Sequence, residues 1–514
     1  MSLQTIQFNV RRVELTTAST DHTNRLVFEP HHYCGSRFYE MMVIDMIDLH
    51  VIKSNNKYIV FHPESMSLFL VSEDIGKTLE FYESESNSPN LTIVERDCSK
   101  IDIPKLVGFL VGNSKKGTRS DLKGENRETK TLSLIISQDC NLRCSYCYAD
   151  HGAFGGERKL MSIDTAKNCI DMMLSRYSNN YIIFFGGEPF LNFSLMNELE
   201  EYASQNGLDI KYTTVTNGTI MNEAIMKFIT EKFYGLCISI DGPKEINDMQ
   251  RFGNNKSVHD QIIETIDMFK MNNMPFSVKC TITKKSINNM EDINEYICAL
   301  GASGIAYAAV TRLPQESELF ISDNEFEIYA KNLSKILAEN IKQLASGDKT
   351  MDISPIFFIL TQLVTKTRKI HHCSAGREFI AVTVDGDVYP CHEFVGIEEF
   401  KMGNVNDENF PGESFNKIKG IFNNYGVYVS EECKVCWARF LCGGDCAVRS
   451  YLDNGDIFRP TKRKCILIKS ILEAILPEFV EVFQDTNKME NIMNVFKEYK
   501  QHDILKNPVV GEDY

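Results

Sequence analysis

The chain has 514 residues, 43% hydrophobic and 24% charged, with a formal net charge of −15 at pH 7. These are the proportions of a folded globular protein with room for more than one domain. So acidic a balance weighs against nucleic acid or an anionic membrane surface as the main partner, because either demands a basic face.

The opening stretch MSLQTIQFNVRRVELTTAST carries no apolar signal core, and SPIFFILTQLV falls short of the roughly 18 residues of a membrane span. With 16 cysteines retained, the expected setting is a reducing cytoplasm, where spaced cysteines serve metal or redox sites rather than disulfides.

Residues 1–100 read as a small separate unit. DLHVIKS, KYIVFHP and SLFLV are short strand patterns split by Asn55-Asn56 and Pro63-Glu64-Ser65. SEDIGKTLEFY follows as a helix with Ser72 at its N-cap. Polar NSKKGTRSDLKGENRETK places a linker within 101–130.

Between 131 and 315 come six β-type runs: LSLIIS, YIIFF, KYTTVT, LCISI, FSVKCTI and GIAYAAV. Helical patterns separate them, as in VHDQIIETIDMF, where Val258, Ile262, Ile266 and Phe269 share one face. This alternation predicts an α/β fold of parallel units closing into a partial (β/α)6 barrel of the TIM type. The strand ends run into a cysteine loop, Gly186-Gly187-Glu188, Thr216-Asn217-Gly218 and Ser239-Ile240-Asp241-Gly242. That rim is where such barrels keep their chemistry. A helical bridge is expected over 316–370, a cysteine-dense region over 371–465 and a helical tail over 466–514.

The cysteine loop, CNLRCSYCY, contains Cys140, Cys144 and Cys147. Three thiolates on a [4Fe–4S] cube leave one iron free for a small molecule; a zinc loop with a distant fourth ligand is the alternative. CxxxCxxC followed by a strand ending in GGEP resembles the radical S-adenosylmethionine (SAM) superfamily, with Tyr146 as that family's usual aromatic. The resemblance implies SAM chelated on the open iron and cleaved by one electron to a 5′-deoxyadenosyl radical, which takes a substrate hydrogen atom. It implies Gly186, Gly187 and Glu188 against the SAM amino group, and Thr216, Asn217, Ser239 and Arg251 toward its ribose and carboxylate. Each of the last four also reads as an ordinary loop-capping residue, and Asp241 as a turn cap before Pro243.

The later region holds Cys373, then Cys391 in VDGDVYPC, then Cys433-x2-Cys436-x5-Cys442-x3-Cys446 and Cys465. This spacing resembles the SPASM domain, which holds two auxiliary [4Fe–4S] clusters, making three clusters in all. C-x2-C…C-x3-C alone would also fit a zinc ribbon. Matched position by position, Cys433, Cys436, Cys442 and Cys465 close the second auxiliary cluster, while Cys373, Cys391 and Cys446 hold the first with one ligand missing. TRKIHH precedes Cys373, so the choice stays open between a remote residue, His371 or His372, and an open iron suited to a substrate thiolate.

SPASM enzymes mostly modify peptides. Sulfatase-maturing enzymes begin near the cysteine loop and carry an Asp after the cysteine matching Cys391; here about 100 further residues precede and the sequence reads CHEFVG. CHEFVG…FKMGNV instead resembles maturases that join cysteine sulfur to carbon, the sactipeptide and ranthipeptide type. Residues 1–100 resemble a winged-helix-like leader-peptide recognition module, binding an extended leader by strand addition.

The resemblance thus implies thioether crosslinking of a ribosomally made precursor peptide. Its leader would sit on the N-terminal unit and its cysteine-containing core in the barrel, with flavodoxin or ferredoxin as electron donor. Sulfatase-type maturation, carbon–carbon crosslinking and a zinc-rich peptide-binding scaffold are the alternatives. His392 and Glu393 lie near a cluster cysteine, with no general base assigned.

Overall fold

The computed structural model describes residues 11–13, 48–86, 118–119, 129–173, 180–253, 256–348 and 352–501. Most of the expected linker over 101–130 and the end of the expected tail lie outside them.

The N-terminal sheet contains β1 (Arg11–Val13), β2 (His50–Ser54), β3 (Lys57–His62) and β4 (Ser67–Val71), in the order β1-β4-β3-β2. β2 and β3 join through Asn55-Asn56 with φ of 47° and 61°. Such a two-residue turn matches strand twist, and Asn tolerates the left-handed region. The helix Glu73–Ser86 follows. The Ser72 carbonyl accepts from the Gly76 amide at 2.9 Å, while among the described residues the Ser72 hydroxyl makes no hydrogen bond, so the cap there is a backbone one. The winged-helix expectation turns largely on residues outside the described ones.

This unit packs against the rest of the chain. Ile52, Ile59, Phe61, Met66 and Leu68 join the same apolar core as the barrel. The Arg439 guanidinium donates to Asp48 at 2.9 Å and Glu64 at 3.2 Å, and Arg368 pairs with Glu64. His50 stacks flat on Trp437, ring centroids 3.7 Å apart, with Nδ1 2.6 Å from Glu83 and Nε2 3.7 Å from Glu473.

Burial alone depresses the His50 imidazole, yet Glu473 and Glu83 together outweigh it and leave its pKa above the usual 6.5. A raised histidine pKa stabilises the folded state fully below the unfolded value, and that contribution fades as pH rises through the folded pKa. Docking of this unit should therefore weaken above about pH 6.5. Trp437 is the chain's single tryptophan. Its fluorescence should rise over the same window as the quenching imidazolium is lost, and His50→Gln should flatten that titration.

The barrel strands are β6 (Thr131–Ser137), β7 (Asn180–Gly186), β8 (Ile210–Thr216), β9 (Leu236–Ser239), β10 (Phe276–Ile282) and β11 (Gly304–Ala309). They pair in parallel in chain order, as the alternating pattern predicts. The barrel stays open. β12 (Asp352–Ile353) extends it beside β11. On the other side β14 (Phe379–Val382) pairs in parallel with β6, followed by antiparallel β15 (Asp387–Tyr389) and β16 (Gly403–Asn404). The cysteine-dense region thus continues the barrel sheet, covering an edge that would otherwise present unpaired backbone. β5 (Thr118–Arg119) and β13 (Thr367–Arg368) form a separate two-stranded pair.

On the helix Val258–Met271, Val258, Ile262, Ile266 and Phe269 are at most 1% exposed, so the predicted stripe faces the core. The bridge is two helices, Asp323–Ser346 and Ser354–Thr365. The first opens on a capping box of Ser322 and Glu325. The helix Lys462–Phe483 begins before 466, so Cys465 lies in its first turn. Among the described residues no helix is long and apolar enough to cross a membrane.

Candidate active site and cluster cysteines

Parallel strands bring their C-terminal ends to one rim, and β6 delivers the cysteine loop there. The loop is stitched to the segment after β9: Arg143 N donates to Phe252 O at 2.7 Å and Ser145 N to Gln250 O at 2.9 Å. Three donors meet its sulfurs. Leu142 N lies 3.4 Å and Asn217 Nδ2 3.7 Å from Cys140 Sγ, and His151 N lies 3.2 Å from Cys147 Sγ. Cys140 and Cys147 each lie within electrostatic reach of Cys144.

Burial raises the Cys140 thiol to about 12 and the Cys144 thiol upward as well; Leu142 N opposes it at the first and Arg251 at the second. Coordinated iron reverses this, because a metal-bound thiol is deprotonated outright. Three soft donors with N–H groups aimed at sulfur fit an iron–sulfur cluster. Among the described residues no three His, Cys, Asp or Glu converge on a single ion. A cube asks for something else, since each of its thiolates binds a different iron.

The glycine pair packs closely on the cysteine loop. A Cβ on Gly186 would stand 2.2 Å from Ser137 O, and one on Gly187 2.3 Å from Asp139 O. These positions therefore let the end of β7 touch the backbone of the cysteine loop, through Gly187 N to Ser137 O and Glu188 N to Asp139 O, both 2.9 Å. Gly186 also holds φ at +148°, which suits glycine.

Glu188 is fully buried. Its Oε1 accepts from Thr216 Oγ1 at 2.9 Å and Phe190 N at 3.1 Å, and its Oε2 from Asn217 N at 2.7 Å. Burial pushes its pKa up to about 7 against those bonds. Asn217 carries the link onward to Asn141 Oδ1 at 2.8 Å. Glu188, Thr216 and Asn217 thus form one unit beside Cys140. Ser239 ends β9, opposite Lys279 in register.

Asp241 is not a simple turn cap. It is fully buried, and its Oδ2 accepts from Tyr146 Oη at 2.7 Å and Gln250 Nε2 at 2.9 Å. Its Oδ1 accepts from Thr281 N at 2.9 Å. Arg251 donates to Tyr146 Oη at 2.6 Å and lies 3.9 Å from Asp241. Tyr146 and Arg251, both expected near SAM, are therefore tied to one buried carboxylate.

The seven later cysteines fall into two neighbourhoods. Cys373, Cys391 and Cys446 lie within electrostatic reach of one another, and so do Cys433, Cys436, Cys442 and Cys465. Burial pushes Cys433 up to about 11 and Cys465 up to about 12. Asp445 holds the two segments together. Its Oδ1 accepts from Cys446 N at 2.7 Å, and its Oδ2 accepts from Thr461 N at 2.7 Å and Thr461 Oγ1 at 2.8 Å.

Lys369 lies between the groups, its pKa lowered to about 8 by burial and by Lys464, with Cys442 and Cys373 pulling the other way. Lys369→Met should lower the midpoint potential of any iron–sulfur cluster that these thiols hold by on the order of tens of millivolts, since net charge helps set cluster potential. An EPR-monitored redox titration reads this, and Lys369→Arg should restore the native value.

A cavity of about 60 Å³ lies between the three-thiol group and the barrel strands. Ser133, Phe185, Val215 and Lys279 line it from the strands; Cys373, Cys391 and Cys446 line it from the opposite side. At its edge Arg312 donates to the Glu393 carbonyl at 3.0 Å, with its guanidinium 5.2 Å from the Tyr148 ring centre. Tyr148 lies within electrostatic reach of both Cys147 and Cys391. Sequence reasoning missed Tyr148, Lys279 and Arg312. Lys279, a charge within a β run, was the one legible hint.

Residues 134–297 match the Radical SAM superfamily and residues 373–437 the SPASM iron-sulfur cluster-binding domain. Cys442, Cys446 and Cys465 lie beyond the second match. An uncharacterized protein of Methanocaldococcus jannaschii is 31% identical over 54% of this chain and 90% of its own length. A cysteine-type anaerobic sulfatase-maturating enzyme of Clostridium perfringens is 25% identical, over 68% of this chain and 98% of its own. The radical SAM cyclopropyl synthase TigE of Paramaledivibacter caminithermalis is 23% identical, over 84% and 95%. The solved structure of anSMEcpe with bound AdoMet shares the fold, with a TM-score of 0.59 and 21% identity over 71% of this chain and 98% of that one. With its three-thiol rim loop, its open parallel barrel and these matches, the chain belongs to the radical SAM superfamily and carries a SPASM-type iron–sulfur domain.

Proposed function

We propose that this chain is a cytoplasmic peptide maturase that joins a cysteine sulfur of a ribosomally made precursor to a carbon of another residue. The carrying observation is the cavity in which Cys373, Cys391 and Cys446 face the barrel interior. A peptide side chain entering there would lie between two cluster sites. When bound, SAM and the cluster on Cys140, Cys144 and Cys147 supply one-electron sulfonium cleavage and removal of a substrate hydrogen atom.

The chain's own residues do the rest. Asp241, Tyr146 and Arg251 fix the cysteine loop, and Glu188 with Asn217 fixes its other side. The cavity walls keep bulk water from the reacting carbon. An extended leader would add as a strand to the N-terminal sheet. Two auxiliary clusters, on the groups of three and four cysteines, would pass the surplus electron to flavodoxin or ferredoxin.

Forming the C–S bond removes one hydrogen from sulfur and one from carbon. Co-expression with a short cysteine-rich peptide encoded beside this chain should therefore give a mass loss of two hydrogens per crosslink and one thiol fewer to alkylate. SAM consumption with an unmodified peptide would count against the reading. Carbon–carbon bond formation is the second reading, favoured by the match to the cyclopropyl synthase over 84% of this chain. It would remove hydrogens while leaving every thiol open to iodoacetamide.

A further inference from the structure

A cube has four irons, and Cys373, Cys391 and Cys446 offer three thiols. An auxiliary cluster on this group, as the proposed function has it, therefore needs one more ligand. The cavity-lining residues include no other described cysteine. Cys169, Cys237 and Cys280 are at most 1% exposed in the core elsewhere, and Cys298 sits on the helix Met290–Ala299.

Three other side chains lining the cavity can donate to iron: His372, His392 and Glu393. Glu393 is engaged by Arg312, at 3.0 Å through its carbonyl and 3.4 Å through its carboxylate. The His392 ring lies against the barrel wall, 4.2 Å from the Phe185 ring and 6.3 Å from that of Phe379. His372 directly precedes Cys373, is 6% exposed and lines the cavity beside all three thiols. Its neighbour His371 is turned elsewhere, with Nδ1 3.1 Å from where a Cβ on Gly426 would stand. The bend at 371–372 thus sends His371 toward Gly426 and His372 toward the cavity.

We propose that His372 supplies the fourth protein ligand of an iron–sulfur cluster held by Cys373, Cys391 and Cys446. Imidazole suits iron, and nitrogen in place of thiolate raises a cluster's potential.

The test uses the full chain with Cys140, Cys144 and Cys147 changed to alanine, reconstituted anaerobically and reduced, with and without 15N-histidine. Pulsed EPR should show a nitrogen coupling that converts to the 15N pattern on labelling. His372→Ala and His372→Cys should both abolish it, and His392→Ala should keep it. His372→Cys, which offers a thiolate to the same iron, should also retain iron while its potential falls.

No nitrogen coupling in the parent, its survival in His372→Ala, or its loss only in His392→Ala would overturn the assignment. Iron content separates the two levels of failure. About eight irons per chain without nitrogen sinks the ligand alone; about four without nitrogen sinks the two-cluster reading with it.

Discussion

Cys144→Ala is expected to reduce formation of 5′-deoxyadenosine by about 10³-fold or more and to remove about four irons per chain. Cys144 sits between Cys140 and Cys147 in the chain and within electrostatic reach of Arg251, which Tyr146 Oη and Asp241 hold in place. No nearby side chain in the loop offers a second soft donor in its place. Cys391→Ala should behave oppositely. It lines the cavity and belongs to the other group of thiols. SAM cleavage should persist there while crosslinked peptide disappears. Iron assay and product quantification on the two variants, side by side, check this; equal loss of deoxyadenosine in both would show that the two sites do not act separately.

What could be read from the sequence was local or countable. The six barrel strands declare themselves by short apolar runs, and the helix bearing Val258 and Ile262 by its period. The partition of seven cysteines into three and four followed from spacing matched to a family, and the same partition reappears as two neighbourhoods in space.

What stayed hidden depends on partners far along the chain. Asp241 meets Tyr146 across 95 positions and Thr281 across 40, so from its neighbours it looks like any turn aspartate. Arg439 reaches Asp48 across 391 positions, a contact that no local pattern announces. The parallel pairing of β14 with β6 is likewise non-local. At the glycine pair a requirement for close approach is legible, but the approach of the Ser137 and Asp139 backbone is not.

Asp241→Ala is expected to cost about 3–5 kcal/mol of stability, the range for removing one partner from a buried charge pair. The carboxylate is fully buried and accepts from Tyr146, Gln250 and Thr281. Without it Arg251, itself only 6% exposed, keeps its charge with Tyr146 Oη as its remaining contact in this network. Asp241→Asn retains the volume and one acceptor oxygen and should cost less, about 1–3 kcal/mol.

The damage should be directional. Tyr146 lies between Cys144 and Cys147, and Ser145 N bonds the carbonyl of Gln250. Releasing Asp241 therefore loosens the rim loop first. Iron should fall by about four per chain, while the SPASM cysteines, held by Asp445 and Thr461, keep theirs. Tyr146→Phe, which deletes one hydroxyl and leaves Asp241 facing Arg251, should give an intermediate loss. Denaturant midpoints and iron content measured on the three variants decide the point. An alanine variant that unfolds at the native midpoint with its full iron would mean the loop is held by its backbone bonds to residues 250 and 252 alone.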